Sequence, residues 1–176
     1  MNSKKPGILF DNRYFDHFVS RPSLENARRL RHLYRQLETA DYRSRFMHFS
    51  PREASIEDIQ DVHSSFYVDQ IREHALNADP FSYDRDTYLM ELSLYTAQLA
   101  AGGCLELADR ILSGEIDYGF ALIRPPGHHA EPGRGMGFCI FNNIAITARY
   151  LRRRYDLQRI LIFDFDIHHC NGTQAV

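Results

Sequence analysis

The stretch ILIFDFDIHH at residues 160–169 decides the fold, because it joins an apolar run to several metal-binding residue types. Residues 160–163 predict a buried strand. Side chains alternate faces along a strand, so Asp164, Asp166 and His168 are expected to point the same way. Carboxylates beside so apolar a run are costly to bury unless a cation compensates their charge. The stretch therefore predicts a site for a divalent metal such as zinc at the carboxyl end of a parallel strand.

A second pair of histidines, His128 and His129, follows a predicted strand at 118–123 and a rigid Pro-Pro-Gly turn. A turn histidine is more often simply solvated. Next to a metal, however, the pair becomes a candidate acid–base pair, because imidazole titrates near neutral pH. The glycine-rich loop GRGMGFC at 133–139 matches neither the P-loop nor the dinucleotide-binding pattern. We interpret it as a loop where the backbone closely approaches something, with Phe138 as an apolar wall.

Strands and helices are predicted to alternate along the chain. Strands are expected at 7–10, 46–49, 118–123 and 160–163, and helices at 23–37, 55–62, 64–75, 88–112 and 142–154, with a polar loop at 77–86. The double glycine at 102–103, inside the long helix, predicts that another element packs closely there. This alternation indicates an α/β fold with a mainly parallel sheet and flanking helices.

The composition of the chain limits the classes of function that it can have. The chain has 176 residues and a formal net charge of −2, so we expect no direct binding to nucleic acid and no attraction to anionic lipid. No apolar run approaches a membrane span, and the N-terminus does not resemble a signal peptide. The three scattered cysteines do not suggest a disulfide framework. We therefore expect a cytoplasmic location, or a nuclear one in a eukaryote.

The apolar strand predicted at 160–163 normally belongs in the middle of a sheet, covered on both faces. Little sequence follows it before Val176. An uncovered apolar edge invites association. We therefore expect residues 1–176 to be the N-terminal part of a single domain, truncated after about the fourth strand. A missing C-terminal segment or a homo-oligomer would then cover the strand.

Three motifs in order give the chain a specific resemblance to a known family: RPPGHHA at 124–130, GFCIFNN at 137–143 and DFDIHHCNGT at 164–173. With weaker matches at 62–68 and 86–87, the chain resembles the N-terminal half of a catalytic domain of the histone deacetylase family. That family includes the acetoin-utilisation and acetylpolyamine amidohydrolase proteins. The resemblance implies an arginase/deacetylase-like fold and zinc-dependent hydrolysis of acetylated amines, either acetyl-lysine in proteins or acetyl-polyamine.

The resemblance also implies two cation sites. Asp166 and His168 would be two of the zinc ligands. A monovalent cation, usually K⁺, would lie behind the zinc and use Asp164, Asp166 and the backbone of His168.

The same resemblance makes His128 and His129 the active-site histidine pair. Asp164 would hydrogen-bond His128, and Asn171 would hydrogen-bond His129. A carboxylate behind one imidazole and a neutral amide behind the other give the two rings different environments. We therefore expect His128 to stay more cationic and His129 to act as the base.

Four further positions are implied to contact substrate. Gly137 and Phe138 would line the channel for the acetylated side chain, and Arg29 matches an arginine at the inner end of the pocket. Asp84 or Asp86 would be the loop acid that grips the substrate backbone.

Departures from the family pattern bear on activity. The third zinc ligand, an aspartate, and the tyrosine that stabilises the oxyanion belong to later family motifs, so the fragment alone is expected to be inactive. Cys170 stands where the family has glycine, which would be strained if that position needs a positive φ. The residues Ser23-Leu24 and Ala27 replace a family His-Pro and a proline near the first helix.

Two alternatives remain open. The chain could be a non-catalytic product that acts as a binding or regulatory half-domain. It could also be a binuclear manganese ureohydrolase. That class needs further Asp/His pairs to bridge two metals, and the motif at 164–169 and the Gly-Phe-Cys segment do not fit it. Metal stoichiometry would separate the two enzyme classes.

Overall fold

The computed structural model describes residues 6–18, 23–77 and 81–176. Its centre is a parallel sheet in the order β2-β1-β5, formed by β1 (Gly7–Leu9), β2 (Met47–Phe49) and β5 (Gly119–Ala121). Leu9 is paired with Phe49 on one side and with Ala121 on the other, so the three strands end together. The carboxyl edge of this sheet is where the functional loops of an open α/β fold are expected.

Helices flank the sheet, which confirms the predicted α/β class. They are α1 (Ala27–Leu37), α2 (Ala40–Arg43), α3 (Ile56–Gln60), α4 (Ser65–Leu76), α5 (Ser93–Leu112), α6 (Asn143–Tyr155) and α7 (Asn171–Gln174), with a 3₁₀ turn at Asn12–Phe15. Among the helices of the described ranges, none combines the length and apolar character needed to cross a membrane.

Capping hydrogen bonds explain where several helices begin. Ser55 Oγ accepts a hydrogen bond from Asp58 N, and the Asp58 carboxylate accepts one from Ser55 N, which is the predicted capping box of α3. Ser64 and Asn142 cap α4 and α6 in the same way. These starts were predictable because each cap joins residues three positions apart.

The predicted start of α1 is wrong. Ser23 does not cap this helix; the helix begins at Ala27, because Asn26 Oδ1 accepts a hydrogen bond of 3.0 Å from Arg28 N. Asparagine is as good an N-cap as serine, and it lies at the position where the helical backbone begins.

The segment predicted as a loop at 77–86 and the start of the long helix also differ from the prediction. Phe81–Ser82 (β3) and Tyr88–Leu89 (β4) pair as a short antiparallel ladder, and α5 therefore starts at Ser93 rather than near residue 88. Residues 78–80 of this segment lie outside the described ranges.

Two apolar clusters meet on α5. One lies between α5 and the other helices and contains Ile59, Tyr67, Val68, Leu105, Ile140, Phe141 and Ile146; the second lies between α5, α1 and the sheet and contains Leu9, Tyr14, Tyr34, Leu99 and Ile116. At Gly102 a β-carbon would lie only 2.0 Å from Arg52 O. This contact confirms the close packing predicted for the double glycine.

The fourth strand predicted at 160–163 is not formed. Within the described part of the chain, residues 156–167 belong to no strand, and Leu161 and Phe163 are 91% and 81% exposed. A strand needs a hydrogen-bonding neighbour, and neither edge strand of the three-stranded sheet pairs with this segment. Side-chain burial nevertheless alternates along this segment, since Ile162 and Asp164 are half-buried while their neighbours are exposed.

Candidate active site

The turn that carries the histidine pair is anchored by a buried ion pair. Arg124, which precedes the Pro-Pro-Gly segment, donates from Nε and Nη2 to the two carboxylate oxygens of Glu25 at 2.5 and 2.7 Å. Its Nη1 donates to Tyr14 O at 2.8 Å. Arg124 and Glu25 are each 3% exposed. A bidentate pair with its remaining donor satisfied fixes the guanidinium, and so fixes the base of the turn.

His128 and His129 lie against each other, with ring centroids 4.0 Å apart. His128 Nδ1 lies 2.9 Å from Asp164 Oδ2, and both side chains are mostly buried. The other oxygen of Asp164 accepts a hydrogen bond from Asp166 N at 3.0 Å. That backbone contact, helped by His128, lowers the pKa of Asp164. The carboxylate is therefore ionised at neutral pH and can only accept from His128.

His129 has a different partner. Its Nδ1 lies 2.7 Å from Asn171 Oδ1, and Asn171 is the first residue of α7. On its other side, His129 meets His168 edge-on, with ring centroids 5.9 Å apart. The two histidines thus have the two partners that the family resemblance implies.

Asp166 and His168 are adjacent but exposed. Asp166 Oδ1 accepts from His168 N at 2.7 Å and lies 3.0 Å from His168 Nδ1. Their side chains are 47% and 71% exposed. The backbone N–H of His168, followed by its imidazole, lowers the pKa of Asp166. The pair offers one carboxylate and one imidazole, which are donors that zinc accepts.

The described residues bring together too few metal donors to form a complete metal site. Among the residues that the structure describes, no group of three or more His, Cys, Asp and Glu side chains is arranged to hold a metal ion. Asp164, expected to share a face with Asp166 and His168, is instead turned inward to His128. The donor chemistry fits zinc, but two side chains hold a tetrahedral ion only if further donors join them.

Gly137 and Phe138 lie beside the histidines in left-handed backbone conformation, with φ of 56° and 70°. A β-carbon on Gly137 would lie 2.5 Å from His129 Cδ2. This explains the glycine, because the loop passes directly over the imidazole. For Phe138 the same conformation costs about 1 kcal/mol, so its neighbours must hold it in place.

The Asp84–Thr87 turn supplies that support. Phe138 N donates to Thr87 Oγ1 at 2.9 Å, and Gly137 N donates to Asp84 Oδ2 at 3.3 Å. Asp84 also accepts from the backbone N–H groups of Asp86 and Thr87. Partial burial opposes ionisation of Asp84, but these backbone N–H groups prevail and lower its pKa. Asp84, the side chain predicted to grip substrate, is thus hydrogen-bonded to the loop that carries Gly137 and Phe138.

Arg29 is not brought to the histidines by any contact within the described ranges. Its side chain is 65% exposed on α1, and Nη1 lies 3.9 Å from Glu25 Oε1. Cys170 has a φ of −79°, so the strain considered for a non-glycine residue at this position does not arise.

A cavity of about 400 Å³ adjoins the His128 side of the site. It lies between the turn residues Pro126 to His128 and the segment 162–166, with Cys104 among its lining residues.

Sequence reasoning missed Glu25 and Glu131. Glu131 Oε1 accepts a hydrogen bond of 2.9 Å from Asn171 Nδ2, 40 positions away, and Glu25 lies 99 positions from Arg124. No local pattern signals such distant contacts. Thr87 belongs to a weakly matching segment, but nothing in the sequence gave it a role.

Comparisons with known proteins agree on one family. Residues 23–176 match a family model described as the histone deacetylase domain. A probable deacetylase of Methanothermobacter thermautotrophicus is 42% identical over 153 residues, covering 87% of this chain and 45% of that protein. The polyamine deacetylase HDAC10 of Homo sapiens is 38% identical over 157 residues, covering 86% of this chain and 23% of that protein.

A solved structure is similar over nearly the whole chain. The crystal structure of the HDA15 HD domain superimposes with a TM-score of 0.89 at 36% identity, covering 98% of this chain and 50% of that chain. The chain thus spans about half the length, or less, of the proteins it resembles.

Proposed function

This chain belongs to the histone deacetylase family, and we propose that its two histidines are the acid–base pair of an enzyme that hydrolyses acetylated amines. In this proposal residues 1–176 form the N-terminal half of the catalytic domain. The observation that carries it is the unequal pairing of the histidines, His128 with the Asp164 carboxylate and His129 with the Asn171 amide.

The unequal partners support a division of the proton transfers. In this proposal His128, which faces the Asp164 carboxylate, is the proton donor, and His129, which faces the Asn171 oxygen through Nδ1, keeps Nε2 as the acceptor. His129 therefore takes a proton from the attacking water as its oxygen bonds to the acetyl carbon. When the C–N bond breaks, His128 supplies a proton to the departing amine, and acetate and the free amine are the products.

Asp166 and His168 would hold the catalytic metal. Bound zinc polarises an amide carbonyl and lowers the pKa of bound water. Further donors outside the described residues complete the site in this proposal. A potassium ion bound by Asp164, Asp166 and the backbone of His168 belongs to the same proposal, and metal analysis would count both ions.

The substrate channel is proposed to run past Gly137 and Phe138. Asp84, which joins this loop through Gly137 N, would grip the substrate backbone, and Arg29 would reach the inner end of the pocket only after moving from its exposed position. Relatives are named as both histone and polyamine deacetylases, so the proposed substrate class is an acetylated amine. The ureohydrolase alternative has no support among these relatives.

Acetate release tests the proposal. Residues 1–176 would be joined to the C-terminal part of the Methanothermobacter thermautotrophicus relative, to give what we call the completed domain. This protein would be assayed on an acetyl-lysine peptide and an acetyl-polyamine. His129→Ala should lower kcat by about 10²- to 10⁴-fold. His32→Ala, an exposed histidine on α1, is the matched control and should keep full activity. A folded, zinc-loaded completed domain that releases no acetate would favour the non-catalytic alternative.

A further inference from the structure

Asn171 lies between a histidine and a carboxylate, and the two contacts use opposite ends of its amide. Asn171 Oδ1 lies 2.7 Å from His129 Nδ1, and Asn171 Nδ2 donates to Glu131 Oε1 at 2.9 Å. The same Nδ2 also approaches Met136 Sδ at 3.3 Å and His129 O at 3.5 Å, and both of these atoms are acceptors.

The carboxylate decides which way the amide faces. An ionised carboxylate has no hydrogen to donate, so only the NH₂ end of Asn171 can bond Glu131. The oxygen end must then face His129, and it can only accept. His129 Nδ1 therefore has to carry the hydrogen, which leaves the lone pair on Nε2.

Glu131 is itself held in place by a buried histidine. Asn142 N donates to His63 Nε2 at 2.9 Å, so His63 carries its hydrogen on Nδ1, which lies 3.0 Å from Glu131 O. His63 is 1% exposed. The backbone of Glu131 is further fixed by a hydrogen bond of 3.0 Å from its N to Arg134 O.

We infer that Glu131 is a positioning residue that sets the tautomer of His129 through Asn171. His128 needs no such relay, because it meets a carboxylate directly. An asparagine alone could pair with either tautomer of His129, because its side-chain amide can rotate by about 180°. The hydrogen bond to Glu131 prevents that rotation. The role of this tautomer in catalysis rests on the proposed function, in which Nε2 of His129 is the base. The tautomer itself does not depend on the proposed function.

Nitrogen NMR of the 176-residue chain, with ¹⁵N-labelled histidine, measures the tautomer directly. At about pH 8, where an ordinary histidine is neutral, His129 should show a protonated Nδ1 and an unprotonated Nε2. His129→Gln assigns the signals. A parent chain in which Nε2 carries the hydrogen would overturn the inference without any variant.

Glu131→Gln is the informative variant, because glutamine can donate as well as accept. Asn171 can then turn over, and the His129 tautomer ratio should shift toward Nε2–H by roughly tenfold, the size expected when one charge-assisted hydrogen bond is lost. Glu131→Asp, which restores a carboxylate, should return the ratio toward the parent value. Glu73→Gln, an exposed glutamate on α4, is the matched control and should leave the spectrum unchanged.

A second substitution, at Asn171, distinguishes a positioning role of Glu131 from a general disturbance of the site. In the double variant Asn171→Asp with Glu131→Gln, the donor and the acceptor exchange sides, because the new glutamine can donate to the new aspartate, which can only accept from His129. The double variant should therefore show the parent tautomer, although Glu131→Gln alone does not. A double variant that keeps the tautomer ratio of Glu131→Gln alone would contradict the relay.

The catalytic consequence has a separate readout. In the completed domain, Glu131→Gln should lower kcat by about 10- to 100-fold and leave KM nearly unchanged, as for other residues that orient a catalytic group. An inactive parent domain with the predicted His129 tautomer would refute the proposed function alone. An active parent whose tautomer ignores Glu131 would refute this inference alone.

Discussion

At the scale of single residues, the site depends on histidines whose two ring nitrogens have different hydrogen-bond partners. His63 shows this most clearly, since one nitrogen accepts from Asn142 N and the other bonds Glu131 O. Protonation would force a second donor against a backbone N–H. Burial lowers the pKa of His63 to about 4.

This shift predicts acid sensitivity in a defined window. Below pH 6.5 the unfolded chain binds a proton at residue 63, whereas the folded chain does not until about pH 4. Stability should therefore fall as the pH drops from 6.5 to 4, by about 3 kcal/mol from His63. The lowered pKa of Asp84 affects stability in a lower pH range than the pKa of His63 does.

Urea titrations across this pH range measure the effect. His63→Gln should be less stable at pH 7 and should lose about half of the slope that the buried histidines give between pH 6.5 and 4. Burial lowers the pKa of His17 to about 3, so His17 gives a comparable slope in this window and keeps it in the variant. His32→Gln, at an exposed position, should keep the slope. An unchanged slope in His63→Gln would show that His63 is not the residue responsible.

At the scale of elements, α5 depends on close backbone packing at one point. Gly102 and Gly103 are neighbours on the same helix, but their surroundings differ. A β-carbon at Gly102 would meet the backbone at Arg52 O, whereas at Gly103 it would meet the side chains of Tyr14 and Leu9, at 2.7 and 2.9 Å. Side-chain ends move more easily than backbone.

Alanine at these two positions makes a matched comparison, because both changes raise helix propensity by the same amount. Gly102→Ala should destabilise the chain by roughly 1–3 kcal/mol through overpacking, and Gly103→Ala by less. Thermal unfolding measures both. The reverse order would mean that residues 52–54 yield more easily than the core around Tyr14.

The elements also show how far sequence reasoning reaches. The starts of α3, α4 and α6 were predictable because their caps are contacts within one helical turn. The β3–β4 ladder and the absence of a strand at 160–163 were not, because strand formation depends on which segments become neighbours. The apolar run at 160–163 predicted a buried strand, but Leu161 and Phe163 are exposed, because no strand of the described residues pairs with this segment.

In the candidate site, too, some contacts were predictable from the sequence and others were not. The motifs predicted that Asp164 and Asn171 hydrogen-bond His128 and His129, and in the structure these contacts measure 2.9 and 2.7 Å. The catalytic roles of the four residues stay a prediction. The supporting carboxylates, Glu25 and Glu131, were missed because each reaches its partner across the fold rather than along the chain.

At the scale of the whole molecule, the chain carries an uncovered apolar strip. Leu161, Phe163, Phe165 and Ile167 are 91%, 81%, 85% and 93% exposed along one extended segment. Such a continuous patch is unusual for an isolated chain. The chain spans half of the HDA15 domain that it resembles, and we propose that the other half of a deacetylase domain covers this strip.

Replacing the strip tests whether it packs against the present chain. Phe163→Ser with Phe165→Ser should change stability by less than about 0.5 kcal/mol, because both rings are already more than 80% exposed. The double variant should also self-associate less in sedimentation. Phe141→Ser, at a fully buried position, is the control and should unfold the chain. A marked loss of stability in the double variant would mean that the strip is already packed.

We propose that the histidine pair His128–His129 moves protons while the neighbouring Asp166–His168 pair binds the metal. Zinc content measured alongside acetate release in the completed domain tests this division most directly. His129→Ala should keep about one zinc ion per domain and lose turnover, whereas Asp166→Ala should lose the zinc. Loss of zinc in His129→Ala, with zinc retained in Asp166→Ala, would contradict the assignment.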